Sequence, residues 1–267
     1  MVDILNSKWY NWRMKNDLER KMRRKVKIFE YETLDSTNAE AKRYAGSCKR
    51  FEPVLFVARE QSAGRGRLGR SFLSRGGRGI YMSLLYFTQT ALTDAISVTT
   101  AAAVAVAAAI ESVTGERMMI KWVNDVYSER GKVSGILTET VAVGDRNAII
   151  VGIGINVGEN DFPEELRGVA ASIGEINEEE RQAIIKKIVD ALIDNADSPS
   201  CREYMKEYRR RFMLSGAHDD LFSAGEMIGS GEVLGVTDDG GLLLLRDGES
   251  ESVVIRTGEV SIRNIKK

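Results

Sequence analysis

Gln61-Ser-Ala-Gly-Arg-Gly-Arg-Leu-Gly-Arg70 is the stretch from which the rest of the chain is best read. It follows Val54-Leu-Phe-Val-Ala58, an apolar run that reads as a buried strand. It then sets Arg65, Arg67 and Arg70 between Gly64, Gly66 and Gly69. Glycine lets a backbone turn tightly and approach a ligand closely, at an entropic cost. Arginine offers a rigid fork of donors suited to phosphate and carboxylate. A strand feeding such a loop is expected to hold an anion, or more than one. A flexible basic surface loop or a nucleic-acid patch has the same composition. The neighbouring clusters decide between these readings.

Composition narrows the field. The 267 residues are 43% hydrophobic and 29% charged, which fits an ordinary globular chain of one or two domains. Its 38 basic and 39 acidic residues nearly cancel, so any site for a polyanion has to be local. Cys48 and Cys201 lie far apart and fit a reduced, cytoplasmic compartment. With His218 as the single histidine, zinc or Ser-His-Asp chemistry has almost no ligands to draw on. The N-terminus lacks the apolar core of a signal peptide. The longest apolar run, Ala101 to Ile110, is too short to span a bilayer.

Working outward from the loop, residues 1–27 carry Leu5, Trp9, Trp12, Leu18 and Met22 ahead of a basic run, the pattern of an amphipathic helix. Val26 to Tyr31 reads as a strand, and Ser36 or Thr37 is placed to cap a helix ending at Gly46. Downstream, strands are expected at Ile80–Phe87, Arg117–Val123, Lys132–Thr140 and Asn147–Val157, the last being the longest. An alanine-rich buried helix is expected over Asp94–Val113, with covering helices at Glu178–Ala196 and Ser200–Leu214. Strands in runs with few helices between them predict an α+β mixed β-sheet rather than alternating βαβ units. From Met227 onward, short strands separated by turns at Asp238–Gly241, Asp247-Gly248 and Thr257-Gly258 predict a small appended β-barrel. The expected division is an extension over 1–27, a ligand-binding domain over 28–218 and a β domain over 219–267.

Four further clusters sit at expected strand ends. Lys121-Trp-Val-Asn-Asp125 joins a cation, an amide and a carboxylate, suited to a phosphate, a base edge and Mg²⁺, or to a surface turn with a salt bridge. Lys132-Val-Ser-Gly-Ile-Leu137 opens an apolar strand with a lysine. That calls for an anion, unless the residue blunts a sheet edge. Gly152-Ile-Gly-Ile-Asn156 places two glycines inside a strand, a sign of close approach by a ligand or another backbone. Ser36-Thr-Asn38 offers hydroxyls and an amide.

Together with Asp35-Ser-Thr-Asn38 and Gln61 to Arg70, these stretches resemble the biotin–protein ligase family (biotin–[acetyl-CoA-carboxylase] ligase, holocarboxylase synthetase), in that family's order and approximate spacing. The resemblance covers roughly residues 28–267. It implies a class II synthetase-like catalytic domain with a C-terminal SH3-like β-barrel, in the monofunctional type without a complete DNA-binding domain. Two positions depart from the family pattern. Val123 stands where proline is usual, which would loosen that turn, and Phe72 stands where tryptophan is common. The resemblance implies that the ring at 72 packs on adenine, over less area for phenylalanine.

By the same resemblance, biotin and MgATP are the substrates and biotinyl-5′-AMP the intermediate. The partner is a biotin carboxyl carrier protein or domain. Lys132 and Arg67 are the catalytic residues that the resemblance implies. Biotin would be surrounded by Ser36, Thr37, Asn38, Gln61, Gly64, Arg65, Gly66, Arg67, Lys132, Gly135 and Gly152. The nucleotide would be held by Arg67, Arg70, Phe72, Lys121, Asn124, Ile155 and Asn156, with Asp125 facing Mg²⁺. Sheet-edge homodimers are common in the family, and neither a specific nucleic acid nor a membrane is expected. The rival readings are a lipoate or octanoate ligase or transferase, and a biotin-sensing DNA-binding regulator.

Overall fold

A computed structural model describes residues 25–89, 95–159, 162–197, 201–223, 226–256 and 260–262. The amphipathic pattern of residues 1–24 and the turn at Thr257-Gly258 lie outside the described residues. Seven strands form the larger sheet: β1 (Lys27–Leu34), β2 (Val54–Gln61), β3 (Gly79–Thr88), β4 (Met119–Lys121), β5 (Asp125–Ser128), β6 (Gly131–Val143) and β7 (Arg146–Asn156). Their spatial order is β1-β2-β3-β7-β6-β5-β4. β1 and β2 run parallel, and every other pairing in this sheet is antiparallel. The sheet is therefore mixed, as the sequence implies.

Helix α1 (Thr37–Ser47) packs over one face of the sheet. The other face carries α2 (Ala95–Thr114), with α3 (Glu178–Asp197) and α4 (Tyr204–Arg211) packed on α2. Successive side chains along a strand point to opposite faces. Val54, Phe56 and Leu85 accordingly join the small core under α1, while Leu55 and Leu84 join the larger core. Coverage on both faces is why these strands read as unbroken apolar runs.

Three expectations need correcting. The longest strand is β6, at 13 residues against 11 for β7. The two form one hairpin paired as far as Val143 and Arg146, which carries β6 beyond Thr140. The alanine-rich helix is also longer than its uninterrupted apolar run. Ala95–Thr114 is 20 residues, with the length and composition of a membrane span, but 67% of its apolar window is buried inside the protein. That is the pattern of a core helix. Finally, Ser36 occupies the N-cap position of α1 without a side-chain capping bond. The amide of Thr37 instead donates to Gln61 Oε1 at 2.8 Å, so a residue from the end of β2 satisfies the helix start.

The C-terminal strands β8 (His218–Ser223), β9 (Glu226–Val236), β10 (Leu242–Arg246), β11 (Val253–Ile255) and β12 (Val260–Ile262) form an antiparallel sheet in the order β11-β10-β9-β8-β12. That order is open, with β11 and β12 at its two edges; the expected barrel closure is absent from the pairings among the described residues. Leu221, Val233, Leu242 and Leu244 belong to the same core as the large sheet. The two sheets also meet through polar contacts. The Trp122 indole N–H donates to Gly240 O at 2.9 Å in a buried bond. Gly240, at φ 84°, lies so close to α2 that an added Cβ would come within 2.8 Å of Ile96. Arg211, 6% exposed, closes the base of the larger core by donating to Met118 O and pairing with Glu111 and Glu207. A buried guanidinium is tolerable there because carboxylates and a carbonyl surround it.

Candidate functional site

The chain between β2 and β3 folds into a narrow hairpin. Phe72 N donates to Gly64 O at 2.9 Å and Gly66 N to Arg70 O at 2.7 Å, with Arg65 bridging Ser71 between them. A 3₁₀ turn over Arg67–Gly69 closes the tip, where Gly69 adopts φ 73°. The base is stapled by Gln61, whose amide donates to Ser74 Oγ at 2.8 Å, and by Ser74 Oγ donating to Phe72 O at 3.0 Å. The loop is thus ordered by its own backbone. It is hydrogen-bonded to the large sheet through Arg67, whose Nη1 donates to Asn124 Oδ1 at 2.9 Å.

Beneath it lies a cavity of about 560 Å³. Its walls bring together Ser36, Thr37, Asn38, Gln61, Arg65, Gly66, Arg67, Arg70, Phe72, Lys121, Asn124, Asp125, Lys132, Gly135, Gly152 and Asn156. Of the residues singled out from the sequence, two stand apart. An added Cβ at Gly64 would meet Phe72 O at 2.4 Å and Ser74 Oγ at 2.6 Å, so this glycine allows the hairpin to close on itself. Ile155 is 0% exposed and sits in the core. Strand alternation sends Gly154 and Asn156 to the cavity and Ile155 away from it. Burial of such a side chain, worth about 1.5–3 kcal/mol, helps fix that register.

Three glycines of β6 and β7 make room for three site side chains. A Cβ on Gly152 would lie 2.0 Å from Asn38 Oδ1, one on Gly154 2.4 Å from the Phe72 ring, and one on Gly135 3.4 Å from Lys132 Nζ. The Phe72 ring therefore rests on the cavity floor, edge-on to Tyr81 with centroids 6.4 Å apart. We expect Gly154→Ala to destabilise the fold by about 1–3 kcal/mol through overpacking. In a Phe72→Ala background most of that cost should vanish, which chemical denaturation of the four proteins will show; an equal cost in both backgrounds would refute the contact.

The charges are arranged across strands. Lys132 Nζ lies 2.7 Å from Asp125 Oδ1, and both side chains are only about a quarter exposed (28% and 24%). β6 is an interior strand, so Lys132 is no edge lysine. Its backbone is pinned on the far side: Lys132 N donates to Val169 O and Ala171 N to Lys132 O. Asn156 Nδ2 holds the same segment through Ala171 O at 2.9 Å. Burial pulls the Arg67 guanidinium below its ordinary value, against the opposing charge of Asp125. Burial, with the Asp125 charge adding to it, pushes the Tyr127 hydroxyl up to about 12.

The Lys121–Asp125 cluster is a turn between β4 and β5. Its Trp122–Val123 peptide is cis. Val123 is 3% exposed and its carbonyl accepts from Tyr208 Oη at 3.3 Å, so the turn is tied down despite lacking proline. Next to Ser36 but outside the cavity, Arg43 holds the Asp35 carboxyl at about 2, chiefly through their hydrogen bond. That carboxylate also accepts from Ser36 N at 2.7 Å. Sequence reading missed Tyr127, Phe162, Leu166 and Val169 on the walls. It also missed Ser83 behind them, a fully buried hydroxyl on β3 that lies within hydrogen-bond distance of both Thr37 Oγ1 (2.8 Å) and Asn38 Oδ1 (2.5 Å). An uncompensated hydroxyl inside an apolar strand was the available signal for Ser83.

Cations from the hairpin, β4 and β6 thus face one cavity in which Asp125 is the single carboxylate among the described residues, with amides at its floor and rim. Such a site suits a ligand bearing two anionic groups. Comparison with known proteins agrees. The biotin/lipoate A/B protein ligase family profile matches residues 31–156. The bifunctional ligase/repressor BirA of Bacillus subtilis is 40% identical over 164 residues, covering 60% of this chain and 50% of that protein. The biotin–[acetyl-CoA-carboxylase] ligase of Paracoccus denitrificans is 40% identical over 126 residues, 46% of this chain and 51% of the other. The chain therefore spans about half the length of these two curated relatives. Among solved structures, the biotin protein ligase from Aquifex aeolicus in complex with biotin and ATP superposes with a TM-score of 0.72 at 28% identity, covering 89% of this chain and 98% of that one.

Proposed function

Because this chain belongs to the biotin/lipoate A/B protein ligase family, we propose that it is an ATP-dependent biotin–protein ligase. The observation that carries the reading is the convergence of Arg67, Lys132 and Asn156, from three separate chain segments, on one cavity. In the first step a biotin carboxylate oxygen attacks the α-phosphorus of ATP and pyrophosphate leaves, giving biotinyl-5′-AMP. Two anions must come within bonding range. Unit like charges about 4 Å apart repel by about 4 kcal/mol at an effective dielectric near 20. Lys132 and Arg67, with Lys121 and Arg70, are the counter-charges. A displacement of this kind needs positioning and charge neutralisation more than covalent help from the protein, which suits a site built without histidine or cysteine.

In this reading Ser36, Thr37, Asn38 and Gln61 surround the ureido ring, with Gly66, Gly135 and Gly152 giving close approach. Asn124, Asn156 and Phe72 serve the nucleotide. Magnesium arrives with the substrate as MgATP. Among the described residues no group of three metal-ligating side chains exists. Asp125 Oδ1 is buried without an aligned hydrogen bond despite its contact with Lys132, and is free to face the ion beside the phosphates. In the second step the ε-amine of a carrier lysine attacks the acyl carbon, the acyl–phosphate bond breaks and AMP leaves, the amine losing its proton. The hairpin and residues 76–79 exclude water from the mixed anhydride.

The same reading takes residues 28–218 as the catalytic domain, 219–267 as an SH3-like β domain and 1–27 as an extension. The partner is a biotin carboxyl carrier domain and the setting cytoplasmic, with a homodimer as an allowed assembly and no specific nucleic acid. The test is to incubate the chain with biotin, MgATP and a carrier domain and to weigh the carrier by mass spectrometry. A gain of one biotinyl group is expected. A carrier left unmodified by biotin, but modified when lipoate or octanoate is supplied in its place, would overturn the assignment.

A further inference from the structure

The cavity floor is wired to an ion pair outside it. Asn38 is 4% exposed, and both protons of its amide are committed: Nδ2 donates to Glu139 Oε2 at 2.9 Å and to Leu137 O at 3.3 Å. Its oxygen accepts from Ser83 Oγ at 2.5 Å. Ser83 also contacts Thr37 Oγ1 at 2.8 Å, and Thr37 Oγ1 donates to Gln61 Oε1 at 3.1 Å. Glu139 is not a wall of the cavity. Its other oxygen is held by Lys42 Nζ at 2.6 Å, with Lys42 reaching over from α1. A carboxylate can only accept, and an ammonium can only donate. One end of the chain is therefore fixed in polarity: with its NH₂ turned to Glu139 and Leu137 O, Asn38 offers its oxygen to Ser83 and takes that hydroxyl's single proton, while Gln61 is set separately by Thr37 N.

We propose that Glu139, clamped by Lys42, is a positioning residue that sets which end of the Asn38 amide meets Ser83, and so sets the polarity of the surface offered to the uncharged end of the ligand. Resting on the biotin-ligase reading, the inference assigns ureido recognition partly to a pair that never touches the ligand. Replacing Glu139 by glutamine keeps the shape but breaks the logic. The Lys42 ammonium draws the glutamine oxygen, which leaves the glutamine NH₂ facing the Asn38 NH₂. Asn38 is then driven to flip against the pull of Leu137 O, presenting NH₂ to Ser83, and the released Ser83 proton turns to Thr37 Oγ1; Gln61 keeps its direction, because its Oε1 still accepts from Thr37 N. Removing the ammonium as well frees the glutamine to turn its oxygen back to Asn38.

The test is calorimetric titration of biotin into the full chain as wild type, E139Q and K42M/E139Q, with a thermal midpoint for each. E139Q should bind biotin about tenfold more weakly, the scale of one misdirected charge-assisted hydrogen bond, while its midpoint moves by no more than a few degrees. The double variant should recover to within about threefold of wild type, a rescue that a generally loosened fold would not show. Wild-type affinity in E139Q, or a double variant no better than E139Q, overturns the inference alone. A wild type that binds no biotin overturns it together with the ligase reading.

Discussion

Lys132→Ala should slow biotinyl-adenylate formation by roughly a hundred- to a thousandfold, the loss typical when one preorganised partner of a developing charge is removed. The ammonium sits on an interior strand with its backbone clamped at Val169 O and Ala171 N, so it is aimed before substrate arrives. In the free protein it rests 2.7 Å from Asp125. On binding, it can turn to the two substrate anions while Asp125 faces the magnesium. Alanine removes the positive partner from both at once and leaves the Asp125 carboxylate adding to the repulsion. Because that carboxylate is 24% exposed, solvent can take over its stabilisation and the fold should survive. Biotin-dependent exchange of pyrophosphate into ATP measures the step. Exchange at the wild-type rate would remove Lys132 from the chemistry.

Arg67→Gly should act later in the cycle. The adenylate still forms, since Lys132 and Lys121 remain, but its residence on the protein should shorten by about 10–100-fold. That range corresponds to losing one hydrogen-bonded, partly buried charge worth about 1.5–3 kcal/mol. Arg67 ties the hairpin to Asn124 across the cavity mouth, and its guanidinium is already depressed by burial. With glycine there, the tip keeps its own backbone bonds but loses this tie to the sheet. Rapid desalting after reaction with labelled biotin reads the retained intermediate. A wild-type half-life would count against the latch, and escaped adenylate should label unrelated lysines in a protein mixture.

Much of this site was legible because its parts are local. The alternation of glycine and arginine in Gln61–Arg70 marks a tight, anion-seeking loop whatever surrounds it. Paired glycines at 152 and 154 signal close approach, and the structure puts Asn38 and Phe72 against them. What escaped reading depends on distant partners. Capping of α1 passes from Ser36 to Gln61 because the end of β2 arrives beside the helix start, 24 residues further along the chain from Thr37. Glu139 looks like any outward residue of a strand until Asn38 and Lys42, about a hundred positions earlier, are seen on either side of it. The short β5 was hidden by its polar start, and β6 hides its reach because its last residues alternate like a half-covered hairpin. Polar pairs of high sequence separation leave no periodic trace, whereas turns and apolar repeats do.

Trp122 lines the cavity with one edge and hands its indole N–H to the Gly240 carbonyl with another. Anyone wishing to trim this protein to a minimal reagent therefore meets a boundary well past the last cavity-lining residue. A chain stopped before β9 would strand a buried donor beside Lys121 and strip the cover from the start of α2. The shortest version that can present an intact cavity runs at least through Gly241, and insertions or tags belong at the exposed bend around Gly248.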